Sequence, residues 1–399
     1  VERKKAQWLK KASVACLLLA ATAVGSPAQT FRSRVSFDGS NGAGPNLGSL
    51  VQDKDGNLYG TTRGGGAYDR GTVFKINREG TLTTLYSFCS QTDCTDGSLP
   101  QAELVLGADG KLYGTTYQGG AYCSPQGCGT VFKITREGRL TTLHSFDGTD
   151  GKGPWATLVE ATDRNFYGTT RGGGAHGYGT VFKMTREGTL TTLHSFDITD
   201  GANAVAPLIE ATDRNLYGTT WAGGAYHNYG TVFRITRKGT LTTLYSFCSQ
   251  SGCPDGANPF APLIQATDGK FYGTTWAGGA NGDGTVFKIT REGTLTTIHS
   301  FAGTDGAAPY GGLLLGADGK FYGTTGAGGV YGDGTVFKIT REGTLTTLHS
   351  FDGTDGSEPD DGLLLGADGK FYGTTLYGGA NGYGTVFSLT VRRDEWRDE

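Results

Sequence analysis

Two glutamates, Glu160 and Glu210, stand in nearly identical contexts, LVEATDRN and LIEATDRN. Equivalent positions in neighbouring units would set them side by side, where paired carboxylates can exchange protons with a substrate. They are the only catalytic candidates of the chain, and the leading expectation is that it has no catalytic residue. Asp360 and Asp361 add charge at a related place. No His or Cys accompanies these acids at matching positions, so no metal centre is expected. No cofactor is expected either; calcium, held by such acids with carbonyl help, is the one ion left open. The recurring Asp-Gly-Thr-Asp-Gly (residues 147–151 and 352–356) lacks the alternating spacing of a calcium loop and reads as turn sequence.

A second group is aromatic. Trp155, Trp221, Phe260 and Trp276, with His176, Tyr178, Tyr226 and His227, fall at loop positions whose residue type changes from unit to unit. Other residues at such positions include Arg171, Val205, Tyr310 and Gly326. Flat rings with polar tips stack on sugar faces or on an aromatic-rich partner. The same rings would also serve to cover glycine-rich turns, and both readings stand at this stage. His144, His194, His299 and His349 share one strand position with Tyr86 and Tyr245, which marks them as packing residues.

The elements that position these residues are repeats. Tyr-Gly-Thr-Thr begins at Tyr59, Tyr113, Tyr167, Tyr217, Tyr272, Tyr322 and Tyr372, a period of 50 to 55 residues. That period suits blades and is too long for one coil of a β-helix. In the clearest copy, strands are predicted at 313–317, 320–325, 335–340 and 344–351, separated by Asp-Gly, Gly-Gly and Arg-Glu-Gly turns. Four antiparallel strands, seven times over, describe an all-β seven-bladed propeller. The seventh unit stops after its third strand, and residues 30–37 (TFRSRVSF) match the missing fourth, TLTTLHSF. The N-terminal strand would close the ring and remove its free edges. Arg34 stands where other copies have Leu, so a small register offset is expected there.

Composition agrees. Glycine is 69 of 399 residues, about 17%, against roughly 7% in ordinary chains. Residues 1–28 carry a basic start, an apolar run and Ser-Pro-Ala, the pattern of a cleaved export signal. Without them Lys plus Arg falls from 35 to 30 and Asp plus Glu from 38 to 37, giving −7. Such an acidic surface does not attract nucleic acid or anionic lipid. No later stretch is apolar enough to cross a bilayer. Outside the export signal the cysteines form three C-x4-C pairs, Cys89/Cys94, Cys123/Cys128 and Cys248/Cys253, which suit disulfides in an oxidising compartment. Antiparallel connectivity sends all three insertions to one face, the expected working face.

The string DGKFYGTTGAGGVYGDGTVFKITREGTLTTLHSFDGTDG closely resembles the GloVer tandem repeat of bacterial surface and secreted proteins. The resemblance covers residues 31–391 and implies an exported, propeller-like protein without an established chemistry. Members of that family carry varied C-terminal anchors, whereas this chain ends in RRDEWRDE. Release or periplasmic residence is therefore expected, as is a monomer. The domain expectation is a signal at 1–28, a propeller at 29–391 with repeats from about 46, and a charged tail at 392–399. The functional expectation is a secreted, non-catalytic module that binds a glycan or an extracellular protein. The alternatives are a lactonase- or lyase-type propeller enzyme and a purely structural surface protein.

Overall fold

In a computed structural model the chain is described over residues 29–45, 49–226 and 228–391. Residues 1–28, where an export signal is expected, His227 and the charged tail at 392–399 lie outside the described residues. Seven separate sheets of four antiparallel strands form the molecule. Six sheets take consecutive strands, and the seventh joins Leu364–Leu365, Phe371–Thr375 and Thr385–Thr390 to the N-terminal strand Thr30–Ser36. This is the ring closure that the sequence predicts. Arg34 is skipped in the pairing with Thr385–Thr390, as a bulge. Leu85, its counterpart in blade one, is skipped in the same way, so the last blade keeps the register of the others and shows no offset.

The repeat motif is explained by three contacts. Each motif tyrosine is buried, and its hydroxyl donates to the aspartate of the preceding turn, as in Tyr167 to Asp163 at 2.8 Å and Tyr217 to Asp213 at 2.8 Å. The last threonine pairs with a threonine on the next strand, as in Thr170 with Thr180 at 2.9 Å. The glycine lies under the phenylalanine of that strand: a Cβ on Gly168 would stand 2.6 Å from Phe182 Cζ and 2.9 Å from Leu158 Cδ2. Gly168→Ala is expected to overpack the blade and cost about 1–3 kcal/mol, read as a lowered denaturation midpoint at unchanged m-value.

The core lies between blades. Tyr167 and Val181 of blade three pack with Leu216 and Phe233 of blade four, and equivalent clusters recur around the ring. Inner strands are only two residues long, as in Val159–Glu160, shorter than the five predicted at 313–317. The chain before each inner strand runs along the axis without sheet partners.

Candidate functional site

Residues from all seven blades border one cavity of about 140 Å³, which places it on the axis. They include Ser49, Glu103, Thr157, Pro207, Pro262, Gly312 and Gly362, one from each repeat at the same position. Above it, on the face carrying the inserted loops, Trp155, Arg171, Val205, Trp221, Phe260, Trp276 and Tyr310 line a bowl of about 250 Å³. Trp155, Val205, Phe260 and Tyr310 border both spaces, so the bowl opens onto the axial cavity.

The bowl's walls are braced ring against ring. Phe260 meets Tyr310 edge-on at 5.2 Å and Trp155 at 6.4 Å, while Tyr117 meets Trp155 at 5.0 Å. The Arg171 guanidinium lies 5.3 Å over the Trp155 ring and donates to the Tyr117 hydroxyl at 3.3 Å. Blade six has Gly326 where blades four and five have Trp221 and Trp276. A Cβ on Gly326 would stand 2.5 Å from Asp360 Oδ1 and 2.9 Å from the Tyr310 ring. Glycine there lets the Asp360 carboxylate and the Tyr310 ring pack directly against the backbone of blade six.

Of the eight aromatic and His candidates, the structure brings together Trp155, Trp221, Phe260 and Trp276. His176, Tyr178 and Tyr226 are exposed on outer loops away from the bowl. His227 lies outside the described residues. Arg171, Val205 and Tyr310 complete the bowl; their signal was a variable loop position shared with the tryptophans.

Glu160 and Glu210 are on the opposite, short-turn face, and neither borders the axial cavity. Glu160 pairs with Arg186 and accepts the Ala108 N–H at 3.2 Å; Glu210 pairs with Arg237 and accepts the Thr162 N–H at 2.7 Å. Gln265 and Gln52 hold the Thr212 and Ala367 N–H groups in the same manner, at 2.9 and 2.8 Å. These side chains tie a blade to the turn of the preceding one. The strand-four histidines bond the aspartate of the following turn, as His144 to Asp150 at 2.6 Å, and Tyr86 and Tyr245 do likewise with Asp96 and Asp255.

The three C-x4-C pairs are disulfides, Cys89–Cys94, Cys123–Cys128 and Cys248–Cys253, as the spacing predicts. Their part is structural. None of the six cysteines borders the bowl or the axial cavity; Cys248 and Cys253 edge a separate groove beside Tyr226. The Cys94 carbonyl accepts the Gly120 N–H at 3.0 Å, and the Cys253 carbonyl accepts the Gly279 N–H at 2.9 Å. Each connector bridge is thereby tied to the loop between strands two and three of the following blade. The loop of Cys123 and Cys128 abuts Gly148 of the next connector, so both kinds of insertion meet on one face, outside the bowl.

The acids that do face the axis are Glu103, Asp360 and Asp361. Glu103 has some accessible surface yet lies deep in the molecule, because what it borders is the cavity. Burial, with the Asp361 charge adding to it, pushes the Glu103 carboxyl up to about 8. Burial likewise raises Asp361 to about 7, against the opposing hydrogen bond from Thr374. Asp360 is raised well above the usual carboxylate range by burial, then by Asp361 and Glu358. Burial and the Asp360 charge also raise the Tyr310 phenol. Oδ1 of both aspartates is buried without a partner, and among the described residues no cationic side chain pairs with any of the three acids. No three His, Cys, Asp or Glu side chains among the described residues are grouped to hold a metal ion.

These shifts carry a sign. Between the unfolded carboxylate values near 4 and the raised folded ones, the native chain holds the extra protons. Stability therefore falls as pH rises through that window and levels off above about pH 8. Thermal melts from pH 4 to 9 are expected to show Glu103→Gln losing less stability with pH than the parent; identical slopes would contradict the assignment.

Seven four-stranded blades around an axial cavity, with a bowl on the looped face, define a β-propeller built to present one central concavity. The Gloeobacter/Verrucomicrobia repeat matches residues 24–138, 95–266 and 251–397, and the chain belongs to that family. No curated protein matches the sequence significantly. Among solved structures, the extracellular domain of a hybrid two-component system from Bacteroides thetaiotaomicron is similar at 13% identity and a TM-score of 0.57. The match covers 91% of this chain and 40% of that one, so this chain spans well under half of its length. A gluconolactonase from Xanthomonas campestris is similar at 13% identity and a TM-score of 0.40, over 66% of this chain and 79% of that one. A luciferin-regenerating enzyme is similar at 9% identity and a TM-score of 0.48, over 91% and 96%. At these identities the likenesses concern the fold alone. No helix among the described residues is long and apolar enough to cross a membrane.

Proposed function

We propose that this chain is an exported, non-catalytic binding propeller that recognises carbohydrate through the bowl at Trp155, Trp221, Phe260 and Trp276. The observation that carries the reading is the convergence of three tryptophans and a phenylalanine, from three consecutive blades, on one depression. Trp155 and Phe260, fixed by edge-on neighbours, lose little freedom on binding, and the faces of all four rings suit the apolar sides of pyranose rings. The three disulfides support a site of action outside the reducing cytoplasm. A glycan array probed with the chain from residue 29 onward, with and without calcium, tests this; retention of a glycan class supports it, and a blank array in both conditions refutes it.

A second reading is favoured by the raised carboxyls of Glu103 and Asp361, which resemble a general acid held protonated near neutral pH. In an enzyme acting on a sugar derivative these acids, rather than Glu160 and Glu210, would do the chemistry. Turnover of any sugar lactone or polysaccharide that is lost in Glu103→Gln would move the assignment to this reading.

A further inference from the structure

The acids at the floor of the bowl constrain its guest. Glu103, Asp360 and Asp361 border the same axial cavity, and the bowl opens onto it. Asp361 is 2% exposed, lines that cavity, and has one carboxylate oxygen without a partner. Buried carboxylates are costly unless a proton or a cation neutralises them. The charged neighbours are Glu358, whose charge acts on Asp360, and Arg171 on the wall. Arg171 belongs to blade three and is held on Trp155 and Tyr117, whereas Asp360 belongs to blade seven, as far round the ring as seven blades allow. The blade-seven side of the floor therefore holds two carboxyl groups with no cationic side chain paired to them among the described residues.

A bare metal ion fits poorly, since the acids do not gather into a ligand set among the described residues. An organic cation fits both parts: aromatic faces attract an ammonium group, and the Asp360 carboxylate, which borders the axial cavity beneath the bowl, can receive its N–H bonds. We propose that the bowl selects saccharides bearing free, protonated amines, the sugar ring stacking on Trp221 and Trp276 and the ammonium group turned toward Asp360. This rests on the carbohydrate reading above and narrows it to unacetylated amino sugars. A guest of this kind replaces protons held by the floor acids, so its binding releases protons to the buffer.

The test is calorimetric titration near pH 6.5 with three tetramers: β-1,4-glucosamine, its N-acetylated form, and cellotetraose. The glucosamine tetramer is expected to bind about tenfold more tightly than either neutral one, with a heat that depends on the buffer's ionisation enthalpy. Asp360→Asn, nearly isosteric and checked for folding by its melting curve, should remove that preference, the glucosamine tetramer then binding no more tightly than the neutral ones. Equal or tighter binding of the neutral tetramers overturns the proposal and leaves the carbohydrate reading standing. Binding of none of the three also overturns it, and the glycan array then decides separately whether carbohydrate recognition survives. Persistence of the preference in a folded Asp360→Asn variant overturns the role given to that carboxylate.

Discussion

Replacing Trp221 and Trp276 together by alanine is expected to abolish glycan retention while the melting curve stays close to that of the parent. Both side chains are only partly buried and line the bowl rather than the inter-blade core. Their truncation therefore leaves the stacked Tyr and Phe clusters untouched. Aromatic anchors at the centre of a binding patch cost about 2 kcal/mol or more each when cut back, roughly thirtyfold in affinity apiece. Trp155→Ala is a less clean probe, because it also releases Arg171 and Tyr117. Affinity chromatography on the best array ligand reads the outcome. Undiminished retention by the folded double variant would remove the bowl from consideration.

The largest effect on stability is expected from deleting residues 30–37. The strand Thr30–Ser36 pairs along the whole of Thr385–Thr390. Phe31 stacks on His349 of blade six at 3.8 Å, and Phe37, fully buried, meets Phe74 of blade one at 5.2 Å. One strand thus touches three blades. Its removal exposes Thr385–Thr390 as an apolar edge, which templates association with other chains. The truncated chain should elute as oligomers in size-exclusion chromatography and lack a cooperative melt. The milder Phe37→Ala keeps the strand and should lose about 3–5 kcal/mol. A truncated monomer melting like the intact chain would disprove closure by this strand.

The blade count, the turns and the closing strand were legible because each unit restates them. The motif tyrosine and the paired threonines are local and recur seven times, and the Asp-Gly turn recurs five times, with Asp-Arg-Asn in its place in blades three and four. The bridges Cys89–Cys94 and Cys248–Cys253 were legible for a similar reason, since five residues of separation bring the two thiols of each pair together within one loop. The bowl was half legible: tryptophans stand out at variable positions, but that Tyr310 and Arg171 join them depends on where the axis lies. Glu103 was hidden for the same reason. Its repeat position holds Ser49, Thr157, Pro207, Pro262, Gly312 and Gly362 elsewhere, and a charge among small or neutral residues was the available signal. Glu160 and Glu210 misled in the opposite direction. With inner strands of two residues, their position turns toward the neighbouring blade's turn, where an arginine and a backbone N–H take up the charge. His176, Tyr178 and Tyr226 were drawn in by residue type and a variable loop position; they are exposed and lie away from the bowl.

The side chains that tie blade to blade on the short-turn face are unevenly distributed. Glu160, Glu210, Gln265 and Gln52 fasten four junctions, whereas the other three have Leu106, Leu315 and Leu365 at the same position. Those leucines offer no acceptor, so the amides of Lys54, Thr267 and Ala317 lack the fastening that Ala108, Thr162, Thr212 and Ala367 receive. Two of those junctions are fastened by an arginine instead: Arg136 of blade two pairs with Asp53 and Asp55 of blade one at 3.6 Å, and Arg341 of blade six donates to the Thr267 hydroxyl of blade five at 2.8 Å, so the ring is closed by two interchangeable kinds of clasp.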